Sequence, residues 1–211
     1  MQHISKSHCI DWKNQLKKIS SVSENYFRNI HEIREQSLTL SREIIRNSAI
    51  SIRASHRTQF EEAKSYIETA EKKLKVINEI CHDAPEIYQA GFIQDAQKEY
   101  IEASITFAFL TKTPLPEIEN ISINPPAYLN GLSESVGELR RFILDQLRQN
   151  SSLDYEKLLG LMDDIYTLLA SIDYPDAITN KLRRNTDIAR SIMEKTRGDL
   201  TLASINQLPN L

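Results

Sequence analysis

Two segments place carboxylates in same-face pairs. The first, residues 97–110, reads QKEYIEASITFAFL, with Glu99 and Glu102 at i and i+3. On a helix that spacing puts both acids on one face, one turn apart, where like charges repel unless a cation lies between them. The second, residues 128–141, reads YLNGLSESVGELRR, with Glu134 and Glu138 at i and i+4. Gly131 and Gly137 flank that pair, two of only five glycines in the chain. A glycine inside a helix costs about 1 kcal/mol, so it often marks a close approach of two helices. If the two segments approached each other, four carboxylates would meet. Hard oxygen ligands without Cys or His favour Mg2+ or Mn2+ over zinc. Taken separately, each pair reads first as an ordinary solvated face. Only their meeting in space makes a site, and periodicity does not establish that.

A third pattern is cationic. Residues 41–57 read SREIIRNSAISIRASHR. At about 100° per residue, Arg42, Arg46, Arg53 and Arg57 fall within an arc of roughly 60°, and His56 adjoins them. Leu38, Ile45, Ala49 and Ile52 form the neighbouring apolar face. Guanidinium forks suit phosphate oxygens better than an ammonium does. The alternative is a solvated basic face paired with Glu43, Glu61 and Glu62.

Other chemistries drop out. The five histidines lie in no zinc-protease motif, and no serine sits in G-x-S-x-G. Neither dinucleotide-binding nor P-loop glycine patterns occur. Cys9 and Cys81 form no C-x-x-C, so no zinc or disulfide framework is supported. The net charge of −3 argues against indiscriminate nucleic-acid binding but leaves room for a local basic patch. No apolar run approaches membrane-spanning length and no signal-peptide core opens the chain, so the expectation is a soluble, cytoplasmic protein with no membrane partner.

The elements that must position these residues read as helices. With 211 residues, 40% hydrophobic and 26% charged, the chain can bury one core. Five Gly and seven Pro are too few for a turn-rich β sandwich, and the first 84 residues hold neither. Long amphipathic helices are expected from about Trp12 to His82, with a break near His56–Thr58 where Thr58 caps a new helix and Glu61 follows three residues later. The Pro85 region ends the second helix. A helix or helix pair follows over 86–112, with Gly91 as the kink. A proline-rich loop spans Thr111–Pro126. Asn124-Pro125-Pro126 starts a helix to about Gln149, and Ser151-Ser152-Leu153-Asp154 opens one to about Ser171. Tyr174-Pro175-Asp176 opens the last, which stops at Gly198. The expectation is all-α: one domain over 1–211, six or seven helices, with 1–10 and 204–211 as flexible ends. Ile165, Leu168, Leu169 and Ile172, after Leu158, Leu159 and Leu161, put apolar residues on several faces of one helix, which predicts self-association.

Four segments in series resemble the translin family. QKEYIEA is similar to the Q-E-Y-V-E-A segment of translin-associated factor X. YLNGLSESVGELRR resembles the family's Y-L-x-G-x-x-(D/E)-x-x-G-E-L-x-R block. SREIIRNSAISIRASHR resembles the end of its long first helix, and NKLRRNTDIARSIMEKTRGDLTLA its last helix, with Arg197-Gly198 as the R-G dipeptide. The resemblance spans roughly residues 24–203. It implies an all-α, translin-like bundle of about seven helices with a long first helix. Its closest branch, factor X with its archaeal single-gene relatives, implies a Mg2+-dependent endoribonuclease acting on single-stranded RNA. Carried over, the ligands and catalytic carboxylates are Glu99, Glu102 and Glu134, with Glu138 in the same acidic cluster. Glu134 departs from the pattern, where an Asp is the better-known residue; the longer stem shifts its carboxylate by roughly 1.5 Å. Arg42, Arg46, Arg53, His56 and Arg57 would then hold the RNA backbone. The resemblance further implies a closed homo-octamer with the sites facing an internal cavity. The alternative is a translin-like oligomer that binds RNA or single-stranded DNA and cuts nothing.

Overall fold

The computed structural model describes residues 11–118, 123–149 and 154–207. Eight helices account for nearly all of these residues, and no strand occurs among them. They are α1 (Trp12–His56), α2 (Phe60–Ile80), α3 (Pro85–Tyr88), α4 (Gly91–Thr111), α5 (Pro125–Arg148), α6 (Tyr155–Ala170), α7 (Asp176–Thr179) and α8 (Leu182–Gln207). The all-α expectation holds, with two of the eight helices single turns. None is long and apolar enough to cross a membrane. Of the expected ends 1–10 and 204–211, residues 1–10 and 208–211 lie outside the described residues while 204–207 continue α8; three of the four residues of the expected cap at 151–154 also lie outside. Asp154 itself caps α6, accepting a hydrogen bond from the Lys157 N–H at 3.1 Å.

At 1.5 Å per residue, the 45 residues of α1 make a rod about 67 Å long. Its C-terminal half packs on α2 and α4, and α4 in turn packs on α5. α4 is the central helix: Ile93, Ala96, Ile101, Ala103 and Ile105 are fully buried. α5, α6 and α8 complete the bundle around Leu139, Ile143, Met162, Leu169 and Leu182.

The buried stripe of α1 differs from the expected one. Ser37, Ser41, Ser48, Ser51 and Ser55 face the core together with Ile44 and Ile52, while Leu38, Ile45 and Ala49 are only partly covered. Small side chains let α1 approach its neighbours closely. Ser51 Oγ donates to the Ala63 carbonyl at 2.9 Å, which ties α1 to the start of α2.

Boundaries differ at two places. Thr58 does not cap α2. It takes a left-handed φ of 60°, and its hydroxyl donates to the Arg57 carbonyl. Gln59 occupies the cap position instead. The last helix does not run unbroken from Asp176 to Gly198. Asn180 and Lys181 are both left-handed (φ 52° and 68°), which ends α7 and restarts the chain as α8. α8 then passes through Gly198, where nothing requires a stop.

Candidate metal centre and its cationic surround

Gly131 sets the geometry of the acid site. A Cβ at that position would stand 2.7 Å from the Lys98 carbonyl oxygen and 2.8–2.9 Å from the Ile101 side chain. Only glycine lets α5 press this closely onto α4, and the contact lies within one turn of Glu99, Glu102 and Glu134. Gly137, the other expected contact glycine, has only Ile192 Cδ1 near, at 3.9 Å, and plays no such part.

The crossing brings three carboxylates together. Glu99 and Glu102 from α4 and Glu134 from α5 each offer an oxygen, and these oxygens all lie within 4.8 Å of one another. Glu138 is not in that group. Its carboxylate accepts from His56 Nε2 at 2.5 Å and from Arg141 at 3.4 Å.

A lysine that the sequence reading passed over sits among the acids. Lys98 Nζ donates to both carboxylate oxygens of Glu134, at 2.6 and 2.8 Å, and lies 3.2 Å from Glu99. Its position beside Glu99 on α4 was visible in the sequence, but the Glu134 partner was not, because that contact depends on the helix crossing. The carboxylates hold the Lys98 ammonium above its ordinary pKa in spite of burial.

Glu102 carries the remaining imbalance. Burial, with the charges of Glu134, Glu99 and Glu138 around it, pushes its carboxyl up to about 8. Glu138 moves the other way: His56 and Arg141 hold it below the usual carboxylate range against the effect of burial. One ammonium therefore serves three carboxylates, and the most buried of them retains a proton near neutral pH. A cluster of hard oxygens short of positive charge, with no Cys or His in it, fits a divalent cation of the Mg2+ or Mn2+ type.

The arginine stripe is in place around the end of α1. Arg42, Arg46, Arg53 and Arg57 are exposed. The expected pairing with Glu43 does not form, since that carboxylate binds Lys73 at 2.6 Å. His56 behaves differently from its neighbours. Its side chain is only 4% exposed and is committed to Glu138, so it joins α1 to the acid site and does not stand on the cationic surface. That bond places the Arg53–Arg57 end of the stripe beside the carboxylates.

Comparisons with known proteins bear on the fold and family. No protein-family model matches the chain. The chain is 33% identical to the uncharacterised protein MJ0175 of Methanocaldococcus jannaschii over 178 residues, 83% of this chain and 78% of that protein. The solved structure of AfC3PO in complex with duplex RNA superposes with a TM-score of 0.81 at 29% identity, covering 93% of this chain and all of the other. AfC3PO alone gives 0.80 at 28%, covering 92% and 100%. Apo-NeC3PO shares the fold, with a TM-score of 0.76 at 22% identity over 88% of this chain and 96% of that one. With the long first helix, the α4–α5 crossing and these relatives over nearly the whole chain, the protein belongs to the translin family.

Proposed function

We propose that this protein is a Mg2+-dependent endoribonuclease, acting on single-stranded RNA inside a closed homo-oligomer. The observation that carries the reading is the convergence of Glu99, Glu102 and Glu134 across the α4–α5 crossing. These three residues would hold the ion, Mg2+ or Mn2+. The chemistry a bound divalent ion supplies is Lewis-acid polarisation of a phosphodiester and activation of water. The chain's own groups do the rest. Glu102 keeps its carboxyl proton until added positive charge displaces it. Lys98 holds Glu99 and Glu134 side by side. Glu138, kept ionised by His56 and Arg141, adds negative potential from one turn along α5. Arg42, Arg46, Arg53 and Arg57, all exposed, would bind backbone phosphates, which supplies affinity without reading sequence. RNA binding by the related AfC3PO, captured with a duplex, supports the substrate class.

One observation favours a second reading. Lys98 engages both oxygens of Glu134, as in a cluster neutralised from within. On that reading the protein binds RNA or single-stranded DNA and leaves it intact.

Labelled single-stranded and duplex RNA, with Mg2+ and with EDTA, separate the two. Wild type should cut the single strand only with Mg2+. Glu99→Gln and Glu102→Gln should each reduce cleavage at least 100-fold while RNA affinity in EDTA stays within a few-fold. Wild type that binds without cutting would establish the second reading, and wild-type-like cleavage by either variant would remove the carboxylates from the mechanism.

A further inference from the structure

Beside the carboxylates, a cavity of about 150 Å³ opens between α4, α5 and the start of α8. Lys98 and Glu134 form the wall it shares with the acid site. The opposite wall carries Lys181 and Arg184. Both are exposed, and neither has an ion pair among the described residues. Neighbouring Arg183 does not serve the cavity, because it lies 3.5 Å from Asp173. The acids facing the cavity are Glu134, which shares the Lys98 ammonium with Glu99, and exposed Asp95. Lys181 and Arg184 thus bring two unpaired cations to the cavity, against one unpaired acid, Asp95, among the described residues.

Gln94 supplies an independent sign of a ligand. It lines the cavity, is only 8% exposed, and its Nε2 donates to nothing. A buried amide donor without a partner is costly, and a ligand acceptor would relieve it. The local backbone is held for the purpose. Asn130 Nδ2 donates to the carbonyls of Thr179 and Asn180 at 3.1 and 3.3 Å, and Asn185 Nδ2 donates to Asn130 Oδ1 at 2.7 Å. These bonds fix the left-handed pair Asn180-Lys181 and set the first turn of α8 against the cavity. The N-terminus of that 26-residue helix adds partial positive charge.

We infer that this cavity is a phosphate subsite, which holds a phosphate of the nucleic-acid strand flanking the one at the carboxylates, with Lys181 and Arg184 as the charged contacts and Gln94 Nε2 as a neutral donor. The inference rests on the nucleic-acid reading above but not on metal or cleavage. A phosphate held here would fix the direction in which a strand crosses the acid cluster.

The test uses the full-length chain in EDTA, with a 3′-labelled 12-nucleotide oligouridine carrying either a 5′-hydroxyl or a 5′-phosphate, titrated by fluorescence anisotropy across a salt series. Lys181→Ala/Arg184→Ala should raise Kd at least 10-fold and lower the salt slope by about 0.7, the value for one phosphate contact on a single strand. Gln94→Met should raise Kd severalfold with the slope unchanged, since no charge is lost. Arg148→Ala/Lys157→Ala removes one cation at the far end of α5 and one in the first turn of α6, and should change Kd less than threefold. Loss shared by both oligonucleotides assigns an internal phosphodiester; loss confined to the 5′-phosphorylated one assigns a terminal phosphate. Thermal melts confirm that each variant folds. A Lys181/Arg184 variant with wild-type Kd and slope, or one no worse than the Arg148/Lys157 control, overturns the subsite alone. Wild type that binds neither oligonucleotide overturns the nucleic-acid reading and the subsite with it.

Discussion

Glu134 is the carboxylate whose length departs from the family pattern, and Lys98 is the residue that meets it. A shorter Asp would draw the carboxylate back toward α5 and lengthen the Lys98 bond, while keeping an oxygen near the cluster. Glu134→Asp should therefore retain Mg2+-dependent cleavage with a shifted Mg2+/Mn2+ preference, and Glu134→Ala should lose cleavage by 100-fold or more. Full activity in Glu134→Ala, measured on the same labelled strand, would move the third ligand elsewhere, with Glu138 the first candidate. Glu102 makes a prediction that needs no substrate. Its folded-state pKa of about 8 lies above the ordinary carboxylate value, so its protonated form stabilises the fold fully at low pH. That contribution is lost as pH rises from about 4.5 through about 8. Glu138 has the opposite sign, and its contribution is lost only as pH falls below the ordinary carboxylate range, so the two windows do not overlap. In EDTA, Tm should fall between pH 5 and 8.5, Mg2+ should restore part of it, and Glu102→Gln should flatten the slope. A wild-type profile in that variant would mean that Glu102 does not carry the imbalance.

Elements place these residues, and the sequence shows them unevenly. Glu99 and Glu102 could be put on one face by counting, because a helix fixes i and i+3. The meeting of α4 with α5 could not, since it depends on a backbone contact between Lys98 and Gly131 that leaves no periodic trace. The serine stripe of α1 was missed for a related reason. Hydropathy marks the large apolar residues Leu38 and Ile45, whereas close packing selected small ones. The break at Asn180-Lys181 was equally hidden, because a side chain 50 residues away, Asn130, stabilises it. The two α5 glycines test the argument against each other. Gly131→Ala forces a Cβ onto a backbone oxygen and should destabilise the fold by about 1–3 kcal/mol, with loss of cleavage as α4 and α5 separate. Gly137→Ala meets only Ile192 Cδ1, at an ordinary contact distance of 3.9 Å, and should stabilise by up to about 1 kcal/mol through helix propensity. Chemical denaturation of both variants is the measurement, and equal effects would show that the close approach does not govern the crossing.

At the scale of the molecule, the described residues leave a long apolar surface uncovered. Association was expected from α6, yet Leu159, Ile165 and Leu169 are buried there and only Leu168 is largely exposed. The open apolar surface lies instead on the N-terminal half of α1, where Trp12, Leu16, Ile19, Val22, Tyr26 and Phe27 are each 54–66% exposed. Their three- and four-residue spacing makes a stripe that continues into Ile30 and Ile33, which pack on the core. Tyr26 Oη donates to Glu86 at 3.1 Å, so the body holds the rod near the middle of this region. A stripe of that length facing water is unfavourable for a lone subunit, and a second copy of the chain would cover it. If the oligomer is a closed octamer, its mass is about 190 kDa for subunits of 24.3 kDa. Ile19→Glu/Phe27→Glu places two charges in the stripe without touching the core, so each subunit should keep its helical circular dichroism while the mass falls toward that of one chain. Light scattering coupled to size exclusion measures both proteins. A monodisperse wild-type monomer at micromolar concentration would end the enclosed-site proposal, and the carboxylates would then act from an open cleft between α4 and α5.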